Sequence, residues 1–126
     1  MTVNEINYDK ILDSLIHSKF RSGFKLKGKV LSYAVEKGIE TLRNHAVDFI
    51  SSRIAPEEPA NDGRQTPMGK HPVFVAQHAT ATCCRGCIEK WHSIPKGREL
   101  TDRECEFIVE LIMKWVEKQL EENVDI

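Results

Sequence analysis

The chain has 126 residues, a formal net charge of −1 and 40% hydrophobic residues, which is the composition of one ordinary water-soluble globular domain. It contains no apolar run of about 18 residues, and its start, MTVNEINYDK, lacks the basic and then apolar pattern of a secretory signal. These features argue against a membrane-spanning helix and predict a cytoplasmic protein, in which cysteine thiols stay reduced.

The first half of the chain shows apolar residues at helical spacing in three stretches. The pattern predicts a helix over about residues 7–18 with Asn7 as its N-cap, a short helix ending at Gly38, and a third that Pro56 stops. Residues 19–28 are expected to form an irregular connection, and its basic side chains Arg21, Lys25 and Lys27, with the adjacent Lys29, are expected to be solvated. His45 is expected to be a partly buried histidine held by a hydrogen bond.

The second half begins with a loop over residues 55–72, which is rich in proline and leads into the segment HPVFVAQHATATCCRGCIEKWHSIPKG. Loops of this length are usually functional or linkers, so we expect a lid or wall of a site. Arg64, Gln65 and Thr66 are available there for ligand contact; alternatively they only tie the loop to the scaffold. Pro72 suits a first helical position, and a second short helix is expected around Trp91.

The clearest helix begins at Thr101, where Thr101 and Glu104 fit a capping box, and it extends to about residue 122. Cys105 falls on its apolar stripe and is expected to be a core residue. The pattern as a whole predicts a mainly α fold of about five or six helices. We expect a single compact domain over 1–126, with the Cys/His-rich segment packed on the long C-terminal helix.

The Cys/His-rich segment holds six side chains of the kinds that bind zinc best within 22 residues, from position 71 to 92. Cys84 and Cys87 form a C-x-x-C pair, with His78 six residues before and His92 five residues after it. We therefore predict zinc held by these four residues, with Cys83 and His71 as substitutes. Arg85 lies between the cysteines and is a candidate ligand contact.

Other interpretations of the segment compete with zinc. Haem attachment is excluded, because Ile88 stands where the motif requires histidine. A thioredoxin-like pair would need a preceding strand, which the pattern does not predict. Iron or an iron–sulfur cluster, a nucleophilic Cys83 or Cys84 with His78 or His92 as its base, and inert buried thiols all remain open.

Charge is unevenly distributed along the chain. Residues 64–98 carry six Lys or Arg and one acid, a net +5, whereas residues 99–126 carry nine acids and three bases, a net −6. A basic part of this kind is typical of a surface for anions or nucleic acid. The favoured interpretation is that two neighbouring helices simply complement each other in charge, because the segment has no arginine-rich run or interleaved aromatic residues of the RNA-binding kind.

The string DGRQTPMGKHPVFVAQHATATCCRGCIEKWHSIPKGREL, preceded by HAVDFISSRIAP, resembles a small prokaryotic family catalogued as domain of unknown function 4186. The resemblance extends from about Phe20 to the end, and HATATCCRGC is its most specific part. It implies no reaction, substrate or partner.

Three functional hypotheses follow from the residues. The first is a zinc-binding or other metal-binding domain with the metal in segment 71–92. The second is a metal- or cysteine-dependent enzyme whose site lies between loop 61–72 and that segment. The third is a nucleic-acid-binding module that uses the basic surface 64–98.

Overall fold

The structure, a computed structural model, describes residues 6–123, so the expected domain span of 1–126 reaches beyond the described residues at both ends. Within that range it contains six α-helices and no strand, which confirms the mainly α prediction. No helix among the described residues is long and apolar enough to cross a membrane.

Two short helices open the fold. Helix α1 spans Tyr8–Ile16 and begins where the Asn7 side chain accepts a hydrogen bond from the backbone of Lys10, as predicted. Helix α2, Lys19–Ser22, lies within the stretch expected to be irregular, and that expectation was wrong for these four residues. The hydroxyl of Ser18 caps α2 by accepting from the backbone N–H of Arg21, a local signal strong enough to start a helical turn.

Helix α3 spans Gly28–Phe49 and bends sharply at Gly38, whose φ of 84° and ψ of 163° are not helical. This break lies at the predicted boundary, so one helical segment ends at Gly38 and the next follows directly after the kink. The chain continues as a π-helical turn over Ile50–Ile54, in which the backbone N–H of Ala55 donates to the Ile50 carbonyl at 2.8 Å.

Helix α4, Pro72–Ala79, lies at the centre of the molecule, and every one of its residues is buried. It follows the long loop, with Pro72 at the first turn as predicted. Helix α5 spans Arg85–His92 and helix α6 spans Asp102–Asn123. The predicted capping box of α6 is confirmed, because Thr101 and Glu104 exchange hydrogen bonds of 2.9 and 3.1 Å.

The main apolar core joins α3, α4, α5 and α6, and a smaller cluster lies under α1. Cys105 is half-buried and packs against the main core, as its place on the α6 stripe predicted. The smaller cluster brings Leu12 and Leu15 of α1 onto Leu111 of α6, with Cys87 and Trp91 of α5 at its edge. The cysteine-rich segment therefore lies where α1 and α2 meet the rest of the fold.

Candidate metal centre

Three cysteines converge at the start of α5. Their sulfur atoms all lie within 4.8 Å of one another, and they belong to Cys83, Cys84 and Cys87. Cys84 is the N-cap residue of α5 in extended backbone, and its Sγ accepts a hydrogen bond of 3.4 Å from the backbone N–H of Cys87. The C-x-x-C spacing brings two sulfurs together because the second cysteine lies in the first helical turn, directly over the cap.

The turn between α4 and α5 directs these sulfurs to one point. Ala81 adopts the left-handed conformation with φ of 59° although it is fully buried. The hydroxyls of Thr80 and Thr82 lie 3.0 Å apart. The side-chain hydroxyl of Thr66, from the long loop, donates to the carbonyl of Cys83 at 2.7 Å. Hydrogen bonds of the turn and of the loop thus hold the thiol segment in place and keep Ala81 in its strained conformation.

Arg21 of α2 is the residue outside the segment that completes the cluster. Its Nη2 lies 3.1 Å from the Sγ of Cys87, and its Nη1 lies 3.7 Å from the Sγ of Cys83. Nη1 also donates to the carbonyl of His78 at 2.7 Å, and the side chain is only 8% exposed. The expectation that Arg21 is solvated was therefore wrong, because docking of α2 on the end of α4 buries it against the sulfurs.

The pKa values of the thiols differ strongly. A hydrogen bond from Cys87 and, against the effect of burial, one from Arg21 lower the pKa of Cys83 to about 7. The pKa of Cys87 is raised, first by its hydrogen bond to Cys83 and then by burial. Burial raises the pKa of Cys84. Cys83, beside the guanidinium of Arg21, is accordingly the thiol of the three that loses its proton most readily.

The two histidines of the predicted ligand set do not join this group within residues 6–123. The Nε2 of His78 lies 3.1 Å from the carbonyl of Pro67. Its ring stacks on Phe24 with 5.4 Å between centroids. The Nε2 of His92 lies 2.8 Å from the carbonyl of Thr80. Both rings are thus held by backbone oxygens, so the structure brings together Cys84, Cys87 and the substitute Cys83.

His71, the other substitute, lies in a separate aromatic cluster. Its Nδ1 accepts a hydrogen bond of 3.0 Å from the backbone N–H of Val73, which caps α4. Its Nε2 lies 3.0 Å from the Nδ1 of half-buried His45, in agreement with the hydrogen-bonded role expected for His45. A neutral ring that accepts at Nδ1 carries its proton on Nε2, so neither nitrogen is free for a metal ion.

Most of the side chains predicted to contact a ligand, in the long loop and the Cys/His-rich segment, are buried and form hydrogen bonds within the protein. Gln65 and Thr66 are buried, and the side chain of Gln65 bonds within the loop and to Arg53. Arg85 is fully buried, and its two terminal nitrogens donate to four carbonyls, those of Ile54, Pro56, Pro95 and Arg98. Of the four predicted contacts, Arg64 alone is exposed.

The segment 64–98 exposes less unpaired positive charge than its composition indicates. Arg85 is buried, and Arg98 donates to both carboxylate oxygens of Glu104 at 2.8 and 2.7 Å. Arg64, Lys70, Lys90 and Lys96 remain exposed. The acidic α6 thus neutralises part of the basic segment, which is the charge complementarity considered as the alternative to nucleic-acid binding.

A family model described as Domain of unknown function (DUF4186) matches residues 9–117. The match begins earlier than the resemblance did, and it includes all of α1 but its first residue, α2 with Arg21, and the three cysteines. No solved structure matches the chain.

Proposed function

The chain belongs to the DUF4186 family, whose description assigns no activity, and we propose from its site alone that Cys83, Cys84 and Cys87 bind one zinc ion. The observation that carries the proposal is the convergence of three sulfurs within 4.8 Å. Tetrahedral zinc with Zn–S bonds of about 2.3 Å separates its sulfurs by about 3.8 Å. The cluster therefore needs a contraction of about 1 Å or less to fit the ion.

Three protein ligands leave a fourth position of a tetrahedral zinc ion for water or another small ligand. The anchoring of the His78 and His92 rings on backbone carbonyls supports this coordination over the predicted set of two cysteines and two histidines. An exchangeable fourth ligand is typical of zinc that polarises a substrate or activates water, whereas a structural site is closed. We therefore favour an open zinc centre, and we propose the reducing cytoplasm as its compartment.

A second candidate is metal-free thiol chemistry at Cys83, whose Sγ lies 3.7 Å from Nη1 of Arg21 and whose pKa is lowered to about 7 by hydrogen bonds from Cys87 and Arg21. A guanidinium beside a sulfur favours the thiolate, which is the nucleophilic form. With a peroxide, two thiols would become one disulfide, and the peroxide would be reduced to water and the corresponding alcohol or a second water. Fast disulfide formation in protein that binds no zinc favours this candidate over the first.

The decisive experiment measures metal in protein purified without chelator. We expect one zinc per chain, and an X-ray absorption spectrum with three sulfur neighbours at about 2.3 Å and one oxygen or nitrogen. Cys84→Ser should remove the metal, whereas Cys105→Ser, which replaces the cysteine outside the cluster, should retain it. Absence of zinc from protein that binds none on addition would overturn the proposal, and two sulfur with two imidazole neighbours would restore the predicted set.

A further inference from the structure

Arg21 is a buried cation whose charge partners are thiols. No carboxylate of the described residues lies within ion-pair distance of it. Its terminal nitrogens contact the carbonyl of His78 and the sulfurs of Cys83 and Cys87. Negative charge that develops on these sulfurs when they bind a metal ion would therefore lie directly against the guanidinium.

The net charge of the centre depends on the ion that it holds. Three thiolates with a divalent ion leave −1, which the single charge of Arg21 balances. The same thiolates with a monovalent copper ion have a net charge of −2, and with trivalent arsenic they have a net charge of zero. An unbalanced buried charge is costly in a medium of low polarity, so the three ions should not be bound equally well.

Resting on the zinc proposal, we propose that Arg21 determines the selectivity of the centre, favouring a divalent thiophilic ion over arsenic(III), which needs no counter-charge. Arg21 acts through the sulfurs and is a positioning and specificity-determining residue rather than a ligand. Its placement carries the inference: Nη2 lies 3.1 Å from one sulfur, Nη1 lies 3.7 Å from another, and the residue is only 8% exposed.

A purely structural role for Arg21 has to be separated from this one, because Nη1 also donates to the carbonyl of His78 at 2.7 Å. Arg21→Gln keeps an N–H donor but removes the charge. Arg21→Lys keeps the charge but loses the planar pair of donors. Arg103→Gln, which removes an exposed arginine of α6, is the matched control for a change in total charge.

Cadmium and arsenite are the two probes, because both take the same three sulfurs and leave different charges. Cadmium replaces three thiol protons, giving an anionic cadmium tris-thiolate and three hydrogen ions. Arsenite, As(OH)3, condenses with three thiols to give a neutral arsenic tris-thiolate and three waters. A distortion of the thiol cluster weakens both reactions, whereas loss of the counter-charge weakens the first alone.

The experiment is a competition titration of both ions at one pH for the full chain and its three variants. We expect the ratio of cadmium to arsenite affinity to fall by on the order of tenfold or more in Arg21→Gln. In Arg21→Lys and Arg103→Gln it should stay within about threefold of the unmodified protein, a change of less than about 0.7 kcal/mol. An unchanged ratio in Arg21→Gln overturns the inference while leaving metal binding intact.

Failure of both ions to bind the unmodified protein would instead overturn the proposed metal function. Arg21→Gln, which lacks the positive charge, should fold in the presence of arsenite, because the neutral arsenic centre needs no cation. If Arg21→Gln and the similarly long Arg21→Met both fail to fold even with arsenite bound, Arg21 is structural and the inference is wrong.

Discussion

The guanidinium of Arg21 and the sulfur of Cys87 are in contact, with Nη2 lying 3.1 Å from Sγ, although the residues are 66 positions apart in the chain. The contact joins α2 to the first turn of α5. A second one, from Nη1 to the sulfur of Cys83, lies beside it. The placement of the two N-terminal helices and the chemistry of the thiol cluster are therefore linked.

Zinc should stabilise the fold if the cluster binds it. With free zinc at 100 times its dissociation constant, the free energy of unfolding should rise by about 2.7 kcal/mol, because the ion binds the native state. Urea denaturation with and without zinc measures the rise. Cys105→Ser should show the same rise and Cys84→Ser should show none. Equal rises in both variants would indicate binding elsewhere.

Substitution of Arg85 should lower the free energy of unfolding more than substitution of an exposed arginine. Its guanidinium bonds four carbonyls in a fully buried position, and Arg85→Met leaves them without donors. We expect a loss of more than about 3 kcal/mol, because each unsatisfied buried group costs about 1 to 3 kcal/mol. Arg64→Met, at an exposed position, should change stability by less than about 0.5 kcal/mol. A loss below about 1 kcal/mol for Arg85→Met would return Arg85 to the ligand-binding role first expected.

His71 should make the fold sensitive to acid. Burial and then the neighbouring His45 lower its pKa from 6.5 to about 4. Between these pH values the unfolded chain binds a proton that the folded protein does not. The contribution of neutral His71 to the free energy of unfolding is therefore complete above pH 6.5 and is lost progressively as the pH falls towards 4. The free energy of unfolding should change by less than about 1.4 kcal/mol per pH unit, because the ring is only half-buried.

Two substitutions separate the cap of α4 from the titration. Asparagine is a good N-cap residue that does not titrate, so His71→Asn should reduce the loss of stability between pH 7 and 5 while preserving the helix. His71→Ala should also lower stability at pH 7, by about 1 kcal/mol. Urea midpoints at three pH values measure both effects. An unaltered pH dependence in His71→Asn would show that another group is responsible.

The capping box of α6 should contribute measurably to stability. Thr101→Ala removes the oxygen that accepts from the backbone N–H of Glu104 at 3.1 Å and should cost about 1 kcal/mol. Thr101→Asp keeps an acceptor and should cost much less. Thermal or urea unfolding compares the two variants. Equal losses would mean that the bond contributes nothing beyond the threonine side chain itself.

The helices could be predicted because their signals are local. The Thr101–Glu104 box, Pro72 in a first turn and the apolar stripe that holds Cys105 each act within about one or two helical turns. The bend at Gly38 was located, but whether two helices separate there or continue along one axis depends on packing. That packing involves residues distant in sequence, which periodicity does not describe.

The candidate site could be predicted in part. Spacing alone predicted that Cys84 and Cys87 lie together, as the structure shows, but it also placed two histidines beside them, whereas the carbonyls of Pro67 and Thr80 hold those rings elsewhere. Arg21 could not be distinguished from Lys25 and its other basic neighbours, since only the docking of α2 makes it differ from them. The Ser18 cap, which begins α2, was the available signal for a helical turn there.

Arg21 precedes Cys83 by 62 positions, so a ribosome adding about 5 to 20 residues per second makes the arginine roughly 3 to 12 s before the thiol. Cys87 follows almost at once, and α6, which closes both apolar clusters, is synthesised after it. The order of translation thus supplies the cation first, then the sulfurs, and then the helix that closes the core. Every group of the proposed centre is part of the nascent chain before α6 is made.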